Sequence, residues 1–184
     1  MKKNLIAVAV LATSVFGVAS SMAADGQVNF VGKITDQACE VVNNVANPLL
    51  VTLGTVSKSA FNDSTGAPAA GQTAAATGFT LQLKNCPDAV TANGATIKFD
   101  GTAAAGDNSV LALTQESGVA TGVGIQLTDK SQAVLPLHTA STTYPLQAAP
   151  VVNNLDFVAR YYSTSATITT GPANSVASFT VVYN

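Results

Sequence analysis

The chain has 184 residues, of which 8 are lysine or arginine, 10 are aspartate or glutamate and 1 is histidine. Charged residues make up only 10% of the sequence, against roughly 25% in an ordinary soluble domain. So few cations cannot form the basic stripe that neutralises phosphates, which excludes nucleic-acid binding. The apolar fraction of 47% argues against disorder, and the low charge gives little protection against self-association.

The first 23 residues have the pattern of a secretory signal peptide. Lysines at positions 2 and 3 form a basic head, an apolar run covers residues 5–18, and small residues follow. Ser21 and Ala23 occupy the −3 and −1 positions of a signal-peptidase site, so we expect cleavage after Ala23, with cleavage after Ala24 as the alternative. The apolar run is shorter than the roughly 20 residues that cross a bilayer, which favours export over a membrane anchor.

The chain contains two cysteines, Cys39 and Cys86. In the oxidising compartment that an export signal implies, two cysteines most simply pair. Two thiols and the distant His138 do not supply a tetrahedral zinc site, and a CxxC redox motif is absent from the sequence. We therefore expect one structural disulfide, Cys39–Cys86.

The mature chain alternates apolar and polar residues in short runs separated by turn signals. Spacings near ten residues, with β-branched and aromatic enrichment, predict an all-β sandwich or barrel in a single domain. Two alanine-rich stretches, residues 67–76 and 102–106, lack a helical period, so we expect loops there, with a helical turn as the alternative. The predicted strands cover residues 28–34, 50–53, 79–83, 95–99, 110–113, 123–127, 134–137, 155–162 and 176–183.

Residues able to carry catalysis are scarce. A GxSxG nucleophile motif is absent, so the single histidine, His138, has no partner that the sequence identifies. The acids are scattered, and several lie in turns where hydrogen bonding to the local backbone explains them, such as Asp88, Asp107 and Asp129. We therefore expect no enzymatic activity, no metal site and no cofactor.

The N-terminal segment of the mature chain has an unusual strand pattern. On a strand, Gly26, Val28, Phe30, Gly32 and Ile34 would point to one face. Glycines on that face add no packing and weaken the strand unless another backbone approaches closely. The plain alternative is an ordinary first strand with a bulge.

The C-terminal segment shows a regular apolar alternation. Phe179, Val181 and Tyr183 would share one face of a strand, and the chain ends at Asn184. A terminal strand of a sandwich tends to lie at an edge, where unpaired backbone groups can accept another chain.

Several sequence pieces along the mature chain carry a family resemblance. They are residues 28–34 leading into Cys39, 79–83 before Cys86, 123–127, 159–162, Gly171 and the penultimate Tyr183. In these features the sequence resembles the major structural pilins of chaperone–usher fimbriae, the type 1 and F17-like subunits of Gram-negative bacteria. The resemblance spans nearly all of residues 24–184. The segment before Cys39 is shorter than in type 1 subunits and similar to that of F17-like ones.

The resemblance implies an incomplete immunoglobulin-like sandwich with six strands of its own in residues 35–184. A hydrophobic groove would lie open between the first and last strands, first filled by a periplasmic chaperone. The N-terminal extension of the next subunit, residues 24–34, would then replace the chaperone by β-strand addition. The implied donor residues are Gly26, Val28, Phe30 and Gly32; the implied acceptor and chaperone-binding edge comprises Gly171, Phe179, Val181, Tyr183 and Asn184.

The resemblance therefore implies a major structural subunit of a surface fimbria that polymerises head to tail with identical subunits. An outer-membrane usher would be a further partner, and a host receptor would be reached only through the fibre tip. The chain would pass through the periplasm to the surface of a Gram-negative cell. Two alternatives are a minor or adapter subunit of the same kind of fibre, and a secreted carbohydrate-binding β-sandwich, against which the absence of tryptophan weighs.

Overall fold

A computed structural model describes residues 27–34 and 37–184, which fall into two units divided after Ile34. The predicted signal peptide and Gly26 lie outside the described residues. Residues 27–34 form no regular secondary structure, although the sequence predicts a strand there. A strand requires a hydrogen-bonded neighbour, and this segment pairs with no strand among the described residues.

Strands dominate the second unit, which confirms the predicted all-β fold class. Within residues 37–184, six strands have five or more residues, and two short ones have two residues each. The strands are β1 (Glu40–Val41), β2 (Thr73–Lys84), β3 (Ala95–Asp100), β4 (Ala103–Ala104), β5 (Asp107–Leu111), β6 (Val123–Asp129), β7 (Asn153–Ser163) and β8 (Ser178–Tyr183). Helix in this described range is limited to a 3-10 turn at Lys58–Phe61 and one α-helical turn, α1, at Asp88–Thr91.

The strands form two sheets in which every pair is antiparallel. The larger sheet has the order β1-β2-β7-β6-β5-β4, and the smaller one consists of β3 and β8. The longest pairing joins β2 to β7, from Thr73↔Tyr162 to Leu83↔Asn153, with a register shift between Ala74 and Thr77.

The core lies between the two sheets. Along β7, buried residues alternate with more exposed ones, so that Leu155 and Phe157 face inward while Asp156 faces solvent. The smaller sheet contributes Ile97 and Phe99 to the same core. Burying each large apolar side chain stabilises the fold by about 1.5–3 kcal/mol.

Two predicted strands are absent as strands. In residues 50–53, Val51 and Leu53 pack against the core, but their backbone joins neither sheet. In residues 134–137, one isolated bridge links Val134 to Thr128. Alternation predicts which side chains are buried, but a strand also needs a neighbouring backbone in register.

Both predicted alanine-rich loops contain strand residues, so these predictions are wrong in part. Residues 73–76 begin β2, and Ala103–Ala104 forms β4. Ala104 pairs with Asp107 across a two-residue turn whose residues, Ala105 and Gly106, both have positive φ. Turns with two positive φ angles suit β-hairpins, and this turn brings an alanine pair into the sheet.

The predicted disulfide between Cys39 and Cys86 is formed, with Cα atoms 4.1 Å apart. It ties the residue before β1 to the turn after β2. An exposed ion pair between Lys84 and Glu40, 2.8 Å from nitrogen to oxygen, lies beside it. The bond therefore fixes the start of the second unit to the large sheet.

Candidate functional site

Among the residues that the structure describes, strand β8 has a neighbouring strand on one edge only. That neighbour is β3, and the pairing runs from Asp100↔Ser178 to Ala95↔Tyr183. The opposite edge of β8 is therefore open to an additional strand.

The hydrogen bonds of β3 show which groups of β8 face this open edge. The N–H of Ser141 donates to the carbonyl oxygen of Ile97 at 2.8 Å, and the N–H of His138 donates to that of Phe99, also at 2.8 Å. The main-chain N–H and C=O groups of the odd-numbered residues of β3 thus point toward the segment at 138–144. Those of the even-numbered residues point toward β8. Because main-chain direction alternates along a strand, the matching residues of β8 bond to β3, and Phe179, Val181 and Tyr183 direct their N–H and C=O groups to the open edge.

The side chains of Phe179, Val181 and Tyr183 are half-buried and pack against the core, whereas those of Thr180 and Val182 are exposed. The alternation expected from the sequence is therefore present in this strand. One strand thus offers both free main-chain groups and incompletely covered apolar side chains.

An aromatic cluster in the core includes Phe179 of this strand. Phe99 and Phe157 are buried, with ring centroids 5.1 Å apart. Phe79 stacks on Phe157 at 5.6 Å, and Phe179 lies 6.4 Å from Phe99. Phe79 and Phe179 are only half-buried. The rings at the centre of this aromatic cluster are therefore covered by other residues, whereas these two outer rings are partly exposed.

A cavity of about 360 Å³ lies between residues 54–61 and the segment that leads into β8, residues 168–174. The Tyr161 hydroxyl, at its wall, donates to the carbonyl oxygen of Gly54 at 3.2 Å. Gly171 lines this cavity upstream of β8 and is not part of the strand. A Cβ at Gly171 would collide with the carbonyl oxygen of Gly118 and the nitrogen of Ala120, so the close approach of the two backbones requires glycine.

The end of β8 meets the start of the second unit. The main-chain N–H of Cys39 donates to the Tyr183 hydroxyl at 2.9 Å. The Asn184 N–H donates to the Gly94 carbonyl oxygen at 3.1 Å, and the Asn93 side-chain amide donates to the main-chain oxygen of Asn184 at 3.2 Å. Burial raises the pKa of Tyr183, and the hydrogen bond from Cys39 partly opposes this shift.

Two of the residues considered for catalysis, His138 and Asp129, are not part of β8. His138 is exposed, with Nδ1 3.6 Å from a carboxylate oxygen of Asp100. The Asp129 carboxylate accepts hydrogen bonds from the hydroxyl of Ser131, at 2.6 Å, and from its main-chain N–H, at 2.8 Å, which hold the pKa of the carboxyl below the ordinary value. Within residues 27–34 and 37–184, no group of three or more His, Cys, Asp or Glu side chains could hold a metal ion.

Surfaces that accept a strand from another chain combine an open strand edge with partly exposed apolar side chains beside it, and this edge has both features. Residues 28–184 match the family described as fimbrial protein. The chain belongs to the fimbrial protein family. It is 37% identical to the type-1 fimbrial protein, C chain, of Escherichia coli, over 100% of this chain and 99% of that protein.

A second relative is the probable major fimbrial subunit LpfA of Escherichia coli O157:H7, which is 33% identical over 100% of this chain and 97% of its own length. Among solved structures, a chaperone–usher pilus matches with a TM-score of 0.62 and 20% identity, covering 88% of this chain and 96% of that one. The fold is therefore the incomplete immunoglobulin-like sandwich of the pilins.

As a member of this family, the chain is a fimbrial subunit, and fimbrial subunits are displayed on the cell surface. Its relatives are structural fimbrial subunits, not enzymes. Among the described residues, no helix is long and apolar enough to cross a membrane.

Three features of the site were not found from the sequence: the cavity upstream of β8, the contact of Gly171 with Gly118, and the hydrogen bond between Tyr183 and Cys39. Each depends on segments far apart in the chain. The periodicity of apolar residues predicts which face of one strand each side chain occupies, and it does not predict contacts between distant segments.

Proposed function

We propose that the open edge of β8 accepts the N-terminal segment of another copy of this fimbrial protein, and that repetition of this step builds the fibre. The observation that carries the proposal is the edge itself: Phe179, Val181 and Tyr183 offer free main-chain groups to a new strand. Main-chain hydrogen bonds give such a complex affinity, and alternate side chains entering the apolar layer give it register.

The N-terminal segment supplies suitable donor residues. Val28 and Phe30 alternate along the chain, with 74% and 93% of their surface exposed. Placed along β8, they would cover the half-buried rings of Phe79 and Phe179. Each large side chain buried in this way contributes about 1.5–3 kcal/mol. Gly26 and Gly32 would flank these anchors on the same face, where a backbone approaches closely.

The position of Cys39 supports one direction for the donor strand. Cys39 lies near the start of the second unit and beside Tyr183 at the end of β8. The outgoing extension of each subunit therefore starts at that end of the groove. An incoming subunit avoids it only if its own body lies at the opposite end, near Ser178. The donor strand then runs antiparallel to β8, and the head-to-tail contact repeats without closing into a ring.

A periplasmic chaperone would cover the same edge before assembly, because an open apolar edge invites aggregation. The outer-membrane usher is the further partner of this proposal. A role as the major shaft subunit is supported by the relative named as a major subunit and by a chain poor in charge and without tryptophan.

The test replaces Phe30 by Asp and uses Asn29→Asp as the matched control, since Asn29 would point to the other face of the donor strand. Surface material from each strain is run on a denaturing gel with and without heating. We expect wild type and the control to give a ladder of multimers that heating collapses to one band, and Phe30→Asp to give none. A normal ladder from Phe30→Asp would contradict the proposed donor residue.

The chaperone step has a separate test in Tyr183→Asp, which places a charge on the open edge. We expect a large drop in the yield of chaperone–subunit complex from the periplasm, because the charged side chain would be buried by the chaperone. A normal yield would contradict the role of this edge. A single monomer band from wild-type surface material, heated or not, would instead favour a secreted binding module.

A further inference from the structure

Tyr183 joins the two sheets at the end of the open edge. Its backbone belongs to β8 of the small sheet, and its hydroxyl accepts the N–H of Cys39, which precedes β1 of the large sheet, at 2.9 Å. The two residues are 144 positions apart.

The N–H of Cys39 is not used by the large sheet. The N–H of Val42 donates to the carbonyl oxygen of Gln82 at 3.0 Å, and Glu40 pairs with Lys84. The main-chain groups of residues 40 and 42 thus face β2, and those of residues 39 and 41 face the other way. Cys39 is buried, with 7% of its surface exposed, so its N–H requires an acceptor inside the protein. The Tyr183 hydroxyl is that acceptor.

Cys39 is thereby held at two points. Its sulfur is bonded to Cys86, and its N–H is bonded to Tyr183. Cys39 lies near the start of the second unit, which directly follows the N-terminal segment in the sequence. Restraint of Cys39 therefore restrains the base of the donor segment.

We propose that the Tyr183 hydroxyl is a positioning group for assembly: it fixes the base of the subunit's own donor segment in response to the strand bound along β8. This inference rests on the proposed function. The Tyr183 ring is half-buried on the face that an incoming strand would cover. A strand that covers the ring immobilises it. The hydrogen bond between the Tyr183 hydroxyl and the Cys39 N–H then restrains the Cys39 main chain as well. Filling one groove thus restrains the base of the segment that fills the next.

Tyr183→Phe tests this inference because it keeps the ring in the groove and removes only the hydroxyl. Tyr144→Phe is the matched control: its hydroxyl also bonds to the main chain, donating to the Asp156 carbonyl oxygen at 2.7 Å, but away from Cys39. The first readout is hydrogen–deuterium exchange of residues 37–41 in the purified chaperone–subunit complex and in fibres. Loss of one hydrogen bond should speed exchange there by about fivefold in Tyr183→Phe, and Tyr144→Phe should leave it unchanged.

The second readout is the persistence length of fibres in electron micrographs. We expect Tyr183→Phe to form more flexible fibres than wild type and Tyr144→Phe. Wild-type exchange at residues 37–41, or fibres as stiff as wild type with a normal ladder, would overturn the positioning role. If Tyr183→Phe forms no fibres, the exchange measured in the chaperone complex decides by itself.

The two proposals fail separately. The proposed function fails if Phe30→Asp still gives the ladder. The positioning role fails if Tyr183→Phe matches wild type in either exchange or fibre stiffness.

Discussion

Phe99 of the small sheet and Phe157 of the large sheet meet edge to face, with ring centroids 5.1 Å apart and ring planes at 90°. Such pairs contribute about 0.5–1.5 kcal/mol beyond the burial of their area. Phe79 and Phe179 flank the pair and are only half-buried. The sheets are thus joined firmly at the centre of the core and left incomplete beside the edge of β8.

Phe157→Ala should lower the stability of the subunit strongly, because a ring that is 1% exposed would leave a cavity costing about 3–5 kcal/mol. Val158→Ala is the control, since the next side chain on β7 points to the outer face. Guanidinium unfolding of the chaperone-released or fibre-assembled subunit measures both. Equal losses for the two variants would contradict the core position of Phe157.

Replacing Cys39 and Cys86 together by serine should cost up to about 4 kcal/mol, the chain-entropy figure for a loop of this length. The measurement is the midpoint of guanidinium unfolding. Glu40→Gln is the local control: it breaks the exposed ion pair to Lys84, which should change the midpoint little because exposed pairs are weak. A double-serine protein as stable as wild type would show that the disulfide is dispensable.

Gly171→Ala should destabilise the loop that leads into β8. The added methyl would overlap the carbonyl oxygen of Gly118 and the nitrogen of Ala120, and relief of such overpacking typically costs about 1–3 kcal/mol. Gly78→Ala is a matched control, because the nearest atom to its Cβ is the Phe157 carbonyl oxygen at 3.9 Å. Thermal dissolution of the gel ladder reports the effect, and identical temperatures for both variants would contradict the close approach.

Tyr144 should make the fold sensitive to alkaline pH. Burial, with smaller contributions from Asp129 and Asp156, raises the pKa of Tyr144 from 10.0 to about 12. The folded chain therefore holds the phenolic proton more tightly than the unfolded chain. This stabilisation is fully present below pH 10 and is lost as the pH rises through about 12.

Circular dichroism of the subunit between pH 7 and pH 12 tests this expectation. Unfolding should begin above pH 10, and Tyr144→Phe, which cannot ionise, should move the alkaline transition upward. The variant also loses the hydrogen bond to Asp156, so each curve is compared with its own stability at pH 7. An unchanged alkaline transition would contradict the role of Tyr144.

Local pattern was sufficient for much of the fold. Alternation identified the inward residues of β7 and β8, such as Phe157 and Phe179, because side chains of a strand alternate between faces whatever its neighbours are. The same pattern overpredicted strands at residues 50–53, where Val51 and Leu53 are packed but their backbone joins neither sheet. It also missed β4, whose two alanines are brought into the sheet by the turn at Ala105.

The sequence by itself determined an exported, charge-poor, all-β chain with one disulfide, because these properties follow from residue type and short-range order. Only the tertiary structure decided which edge stays open. In the part of the chain that the structure describes, β8 pairs with β3 alone. Gly171 packs against Gly118, and the Tyr183 hydroxyl accepts a hydrogen bond from the Cys39 N–H. All of these are contacts between distant segments. Such contacts form when the sheets pack, and they cannot be predicted from the pattern of neighbouring residues in the chain.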